Sequence, residues 1–525
     1  MPRLPPKPLA IVTLLLVSAV NCYAWTNTDL PYQEGPYKPN WKSLSAQYQT
    51  PDWFKDAKFG IWAHWGIQCT PGSGDWSGLF LYGPTKEGNE WFNGRSKQCH
   101  EFHQKHYGHP SEIGMKDYIP GFTASEWDPD ALLELYKRAG ARYFVAMANH
   151  HDNFDNWNSK HQPWNSVNMG PKRDLIKEWA KAAEKHKLKF GVSVHAARAW
   201  DWIAPIFSHD TEGPMQGVPY DSFMTKADGA GKWWEGYDPA ELYTRPHTKS
   251  DPMDQDYVNR FYLRTLDLID QHKPDLLYFD DGKSPLGNTG LRIYAHFYNS
   301  SLLWNENSMD VVINSKHNDE LTRKAVVEDV ERGAKSEIFP TTWQTDTCVG
   351  GWHYNLDFVN GIRSYKTAGE VIRTLVDIVS KNGNLLLSIP LKANGTPDAN
   401  CISFLEEIAA WMDVNAQGIY GTRPWHRFGE GPTNTVGGHT SEQALVYTQE
   451  DFRFTTKGDT LYIFAMANAQ DNLLIQSLTK DKKLVSSVEL VGSQEPIQWR
   501  QTDDGLSIKA PKSIPVKYVT CYRIN

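Results

Sequence analysis

The sequence predicts an α/β fold, a (β/α)8-type barrel followed by a C-terminal β-sandwich domain, and three observations lead to it. The chain has 525 residues, more than one ordinary domain holds. From residue 50 to about 395, short β-type runs alternate with helix-type stretches, the pattern of a parallel sheet with helical crossovers. After about Gly418 the helical periodicity stops, and β-branched and aromatic runs follow one another between Gly, Asp and Asn turns.

Eight runs qualify as barrel strands: Phe59 to His64, Tyr143 to Asn149, Lys189 to His195, Leu276 to Asp281, Val311 to Asn314, Ala325 to Glu331, Thr342 to Cys348, and Asn384 to Ile389. Eight is the number a closed barrel needs. Between them, apolar residues recur every three or four positions, as in Leu175, Ile176, Trp179, Ala183 and in Val258, Tyr262, Leu266, Ile269. Asp128-Pro129-Asp130 reads as a helix start. The stretch 203–250, rich in Gly, Pro, Asp and aromatics, fits neither period and is expected to be an insertion beside the mouth of the barrel. In the C-terminal part, Thr460 to Phe464, Leu484 to Leu490 and Val516 to Val519 read as strands.

The first 24 residues have the layout of a secretory signal: Arg3 and Lys7, an apolar run from Leu9 to Val20, and Cys22-Tyr23-Ala24 as a small-x-small cleavage site. The expected organisation is therefore a signal peptide over 1–24, the barrel over 25–417 and the β-sandwich over 418–525, with the mature chain secreted or periplasmic. Beyond that segment nothing approaches the ~20 apolar residues of a membrane span, so no membrane partner is expected. A net charge of -8 argues against nucleic acid, which demands clustered Lys and Arg. Aromatic residues reach 13%, with 21 Trp and 24 Tyr, and flat faces with a polar handle suit the C–H faces of sugar rings. After the signal, Cys69, Cys99, Cys348, Cys401 and Cys521 form neither a metal motif nor a disulfide framework.

Barrel chemistry sits at the C-terminal ends of the strands. There the sequence puts His64, then His150-His151-Asp152, His195, Asp280-Asp281, the group Glu328, Asp329 and Glu331, and Asp346. Hydrolysis of a glycosidic bond needs two carboxyl groups, one to attack or activate water and one to protonate the leaving oxygen. Asp280, closing the run Leu276 to Phe279, is the candidate nucleophile, and strand alternation makes Asp281 its structural neighbour on the other face. For the acid/base, Glu328, Glu331 and Glu337 have equal standing by spacing. His64, His150, His151 and His195 with Asp280 also permit a metal reading. Metal-dependent barrels place a closely spaced His pair on the first strand, however, and here His64 is followed by Trp65. Hydrogen bonds from histidines to sugar hydroxyls are the better account, and no metal or other cofactor is expected.

These residues resemble the α-L-fucosidases of glycoside hydrolase family 29. The resemblance lies in Lys58 to Gly66 (KFGIWAHWG), Ala139 to Tyr143 running into His150-His151-Asp152-Asn153-Phe154, Arg173-Asp174-Leu175, Leu188 to Val192, Tyr278-Phe279-Asp280, Lys381 to Leu387 and Gly418 to Pro424, in order over about 50 to 430. It implies fucose-containing glycans as substrates and a retaining mechanism without metal. Asp280 falls at the nucleophile position, and His64, His150 and His151 fall at sugar ligands. Trp76 takes the place of a sugar-contacting Trp, with Glu90-Trp91 competing for the match. Glu331 is the best match to the acid/base. Two positions depart from the family pattern. Asn314-Ser315-Lys316 stands where Asn-Asp-Arg is common, so Lys316 or His317 replaces an Arg contact to the sugar. Ser193-Val194-His195 stands for Tyr-Tyr-Ser, making His195 a variant sugar ligand. They keep two alternatives open: a related glycosidase acting on L-galactosides or sulfated fucans, and a catalytically silent carbohydrate-binding protein.

Overall fold

The computed structural model describes residues 30–83, 90–468, 471–481 and 484–525; the expected signal segment lies outside them. Eight strands close into a parallel barrel in chain order: β1 (Phe59–Ala63), β2 (Tyr143–Asn149), β3 (Lys189–Val194), β4 (Leu276–Phe279), β5 (Val312–Lys316), β6 (Val327–Asp329), β7 (Trp343–Cys348) and β8 (Gly383–Ser388). β8 pairs back onto β1 through Phe59 to Leu385 and Trp62 to Ser388. Every expected run carries a strand, with ends shifted by one or a few residues where the chain leaves the ladder.

The helices α1 (Glu90–His106), α2 (Pro129–Arg138), α3 (Leu175–His186), α4 (Gln255–His272), α5 (Asn288–Trp304), α6 (Ala368–Ser380) and α7 (Ala399–Asn415) cover the outside. Their starts are written locally. Asp128 accepts the amides of Asp130 and Ala131, Asp174 accepts that of Lys177, and Thr367 with Glu370 forms a capping box on α6. Among the described residues, the crossovers from β5 to β6 and from β6 to β7 hold no α-helix.

Strand parity sorts the side chains. Trp62, Tyr143, Val145, Leu276, Tyr278, Val312, Val327 and Leu386 pack together inside the barrel. Their neighbours Ile61, Phe144, Leu277, Ile313, Leu385 and Leu387 join the core shared with the helices. Both faces are buried, which is why the strands read as near-continuous apolar runs.

The C-terminal domain is a sandwich of two antiparallel sheets. One has the order β13-β16-β11-β10-β9 and the other β12-β15-β14. The strands are β9 (Arg423–Glu430), β10 (Phe452–Lys457), β11 (Thr460–Ala465), β12 (Leu473–Ile475), β13 (Val488–Leu490), β14 (Trp499–Thr502), β15 (Gly505–Ile508) and β16 (Thr520–Ile524). Of the expected strands here, Thr460 to Phe464 is β11, while Leu484 to Leu490 is paired only over Val488–Leu490. Val516 to Val519 is corrected: it is a turn leading into β16, with Tyr518 at φ 74, a left-handed backbone that a strand cannot use.

Within β11, Leu461, Ile463 and Ala465 face the sandwich core, whereas Tyr462 and Phe464 belong to the barrel-side core. The five-stranded sheet thus buries both faces, one on its partner sheet and one on the barrel. The insertion 203–250 is fastened beside the β2 loop, where Asn153 donates to the Leu242 carbonyl at 2.8 Å and Trp164 to that of Asp238 at 2.9 Å.

Candidate active site

The parity that puts Trp62, Leu276, Tyr278, Val312, Val327 and Leu386 inside the barrel continues past the strand ends. It turns His64, Asp280, Lys316, Glu331 and Ser388 toward the mouth, and sends Asp281 and Glu328 outward. Glu328 accordingly bonds Arg323 at 2.9 Å and Lys335 at 2.7 Å, away from the mouth. Glu337 is exposed. Asp281 lies toward Ala197 and Arg198, its carboxyl pushed well up by burial and by the charge of Asp280. Of the three glutamates with equal standing by spacing, Glu331 alone meets Asp280 at a common partner.

That partner is Lys316. Its ammonium hydrogen-bonds Asp280 Oδ1, donates to Glu331 Oε2 at 2.7 Å and lies 3.8 Å from Asp346 Oδ2. Burial by itself would discharge this lysine, but Asp280, Asp346 and Glu331 outweigh it and hold the amine well above its ordinary range. Burial would likewise raise Asp280, and there Lys316 and His195 prevail and keep the carboxylate well below the usual range. The Asp280 and Glu331 side chains stay partly open, at 22% and 34% exposure, whereas Lys316 is at 4%.

His195 is fully buried. Its Nδ1–H donates to Asp280 Oδ2 at 3.2 Å, and its Nε2 meets the Ser193 hydroxyl, itself an acceptor for Trp62 Nε1, at 3.1 Å. Both ring nitrogens are engaged, so this imidazole orients Asp280 and has no nitrogen to offer a sugar hydroxyl. Lys316, expected to stand in for a sugar-binding Arg, is likewise held among carboxylates.

His64, His150 and His151 form the wall beside these groups. His64 lies on the Trp62 ring at 3.9 Å between centroids and bonds Ser388 Oγ at 3.1 Å. Gln68 donates to His150 Nδ1 at 2.9 Å, and His151 Nδ1 donates to the His195 carbonyl at 2.8 Å. Burial and neighbouring imidazoles, His195 among them in each case, depress all three, His151 to about 3, so they present neutral imidazoles. Trp76, half-buried with φ 62, stands 6.3 Å from the His151 ring. Glu90 opens α1, which brings Phe92 within 5.9 Å of the Trp76 ring. Among the described residues, no group of three or more His, Cys, Asp or Glu is disposed to hold a metal ion, and all five cysteines described are free and buried.

The structure adds residues that motif reading passed over. Trp352 lies 4.9 Å from His64, and His353 lies 4.8 Å from His150. Asp75 holds both by accepting the amide of His353 at 2.7 Å and that of Trp352 at 3.2 Å. A Gly350-Gly351 turn followed by Trp-His just after a strand was the available signal. Below the mouth, Tyr278 OH reaches Asp346 at 3.0 Å and Asp329 at 3.3 Å. Burial raises that acid pair, Asp346 to about 6.

A barrel with two carboxyl groups at its C-terminal mouth, walled by neutral histidines and tryptophans, has the equipment of a glycoside hydrolase. Residues 24–417 match the model of the alpha-L-fucosidase family, and residues 443–524 match that of the alpha-L-fucosidase C-terminal domain. The chain is 26% identical over 498 residues to human tissue alpha-L-fucosidase, covering 91% of this chain and 89% of that one. It is 24% identical over 498 residues to the alpha-L-fucosidase of Dictyostelium discoideum, covering 92% and 93%. Among solved structures, the Thermotoga maritima alpha-fucosidase in complex with fucose superposes with a TM-score of 0.66 at 25% identity, covering 93% of this chain and 100% of that one. The chain belongs to the α-L-fucosidase family, a family of glycoside hydrolases that acts on fucose-containing glycans.

Proposed function

We propose that the mature chain is a secreted, exo-acting, retaining α-L-fucosidase that removes terminal α-L-fucose by double displacement, with Asp280 as nucleophile and Glu331 as acid/base. One observation carries the reading: both carboxylates bond the same ammonium. Two oxygens so joined lie no more than about 6 Å apart, twice the length of a hydrogen bond. That supports the ~5–5.5 Å separation of a retaining pair over the ~6.5–9.5 Å of an inverting one.

In the first step Asp280 attacks the anomeric carbon and the bond to the leaving oxygen breaks as Glu331 gives that oxygen its proton. In the second, Glu331 takes a proton from water, the water oxygen bonds the anomeric carbon, and Asp280 leaves as carboxylate. Negative charge therefore passes from Asp280 to Glu331 and back, and Lys316 faces one such charge at every stage. His64, His150, His151 and Trp76 hold the fucose hydroxyls and apolar face, a reading supported by the family resemblance and by the fucose in the Thermotoga maritima structure. Secretion is supported by the layout of residues 1–24, and Trp25 is the expected N-terminus of the exported chain.

Turnover of 4-nitrophenyl α-L-fucoside tests the assignment. Asp280→Ala is expected to lower kcat/KM by on the order of 10⁴-fold or more, and proton NMR is expected to detect α-fucose as the first product. Full activity in the variant, or β-fucose first, would overturn it. Turnover unchanged by EDTA is expected, and its loss would remove the metal-free mechanism.

A further inference from the structure

The mouth of the barrel is completed by a segment from the other domain. Leaving β9, the chain runs back along the β6–β7 loop. Gly438 donates its amide to the Ala334 carbonyl at 2.9 Å, and Glu442 donates to that of Arg332 at 2.8 Å. Between these rungs, Thr440 N donates to the Glu331 carbonyl at 2.7 Å, and the Glu331 amide donates to His439 Nδ1 at 3.1 Å. Both backbone groups of Glu331 are thereby held by consecutive residues of the C-terminal segment. The Glu442 carboxylate anchors it through Thr347 Oγ1 at 2.9 Å and Lys366 Nζ at 2.6 Å. The approach is close enough to require a glycine, because a Cβ on Gly333 would run into the Gly438 carbonyl.

We propose that His439, reaching the barrel from the C-terminal segment, is a positioning residue for Glu331 that sets the direction of its proton transfer to the leaving group. The inference rests on the reading of Glu331 as acid/base. β6 ends at Asp329, and beyond it Val330 and Arg332 donate to the Gln344 and Asp346 carbonyls of β7 at 2.9 and 2.8 Å, while the amide and carbonyl of Glu331 between them go to the C-terminal segment. The His439 ring packs against that of His317 at 4.3 Å between centroids, tilted by 40°, which restricts its rotation. Burial and the neighbouring His317 and Lys316 depress His439 to about 4, so at neutral pH its Nδ1 lone pair is free to accept the amide of Glu331. General acid catalysis depends on the angle and distance of the donated proton, and a misplacement of about 1 Å can cost on the order of 10²-fold.

Two variants separate the acceptor from the ring: His439→Asn keeps an acceptor without the imidazole, and His439→Phe keeps a ring without the acceptor. Each is assayed on 4-nitrophenyl α-L-fucoside, whose leaving group departs without a proton, and on a fucosyl-galactose disaccharide, whose leaving alkoxide needs one. His439→Phe is expected to lose on the order of 10²-fold in kcat/KM on the disaccharide and less than about threefold on the aryl fucoside, with His439→Asn near wild type on both. Gly333→Ala should behave like His439→Phe. Equal loss on both substrates, no loss on either, or Asn behaving like Phe would overturn the proposal. Glu331→Ala runs in parallel. A disaccharide-selective loss rescued by azide on the aryl substrate upholds the acid/base reading whatever His439 does, and a non-selective loss removes that reading and this inference with it.

Discussion

Lys316 concentrates the electrostatics of the site in one side chain. A lysine buried to 4% exposure would lose its charge unless anions faced it, and Asp280 and Asp346 do so, with the Glu331 carboxyl group completing the surround. The dependence is mutual, since Asp280 lies well below the usual carboxylate range because of Lys316 and His195. The acid limb of kcat/KM reports the free enzyme's essential carboxylate. With the cation gone that carboxylate binds its proton more readily, so activity starts to fall at a higher pH. Lys316→Met is therefore expected to move the acid limb upward by about one unit or more, while Lys316→Arg, keeping the charge, leaves the limb nearer its place. A pH–rate series on the aryl fucoside checks this, and an unmoved limb in Lys316→Met would mean that the lysine does not set the charge of Asp280.

The loop after β7 acts as a unit. Trp352 and His353 stand against His64 and His150, but neither backbone is held by a strand, and both amides end on Asp75 from the loop after β1. Asp75 keeps its charge because His353 offsets the cost of burying it. Asp75→Ala leaves two buried amides without an acceptor and frees the wall while leaving Asp280, Glu331 and Lys316 untouched. The expected outcome is a KM raised by on the order of tenfold with kcat within about threefold, the signature of lost uniform binding. Steady-state kinetics on the aryl fucoside measure it, and an equal fall in kcat would place the loop in the chemical step instead.

Across the whole molecule, barrel and sandwich are joined through charge as well as apolar area. Asp377 on α6 accepts Arg453 of β10 at 2.6 Å and Lys381 at 2.7 Å, all three being buried. Arg373 donates to the Met466 carbonyl and Trp411 to that of Val519. Removing the one anion strands two buried cations, so Asp377→Ala should destabilise the protein by about 3–5 kcal/mol. Urea unfolding followed by tryptophan fluorescence is the measurement, and a change below about 1 kcal/mol would mean that the pair is solvated. A single transition is expected, because the five-stranded sheet buries apolar residues on both faces and does not shed the barrel without exposing one of them.

The barrel was legible in the amino-acid order because strands buried on both faces write themselves as short apolar runs, and the polar residue closing each run marks its mouth. Asp280, His64, His150 and His151 are found this way, and the alternation that separates Asp280 from Asp281 is a local property of any strand. The choice of Glu331 over Glu328 and Glu337 came from the family resemblance and was not legible in spacing, which along one loop does not say which carboxyl meets an ammonium from the preceding strand. Nor were the roles of His195 and Lys316, whose polar atoms are engaged by partners 85 and 36 positions away in Asp280. His439 left no local mark at all, lying 108 residues beyond the amide it accepts. Periodicity is a short-range quantity and settles which face a residue takes. Which charges share that face is decided when barrel closure and domain docking bring distant segments together.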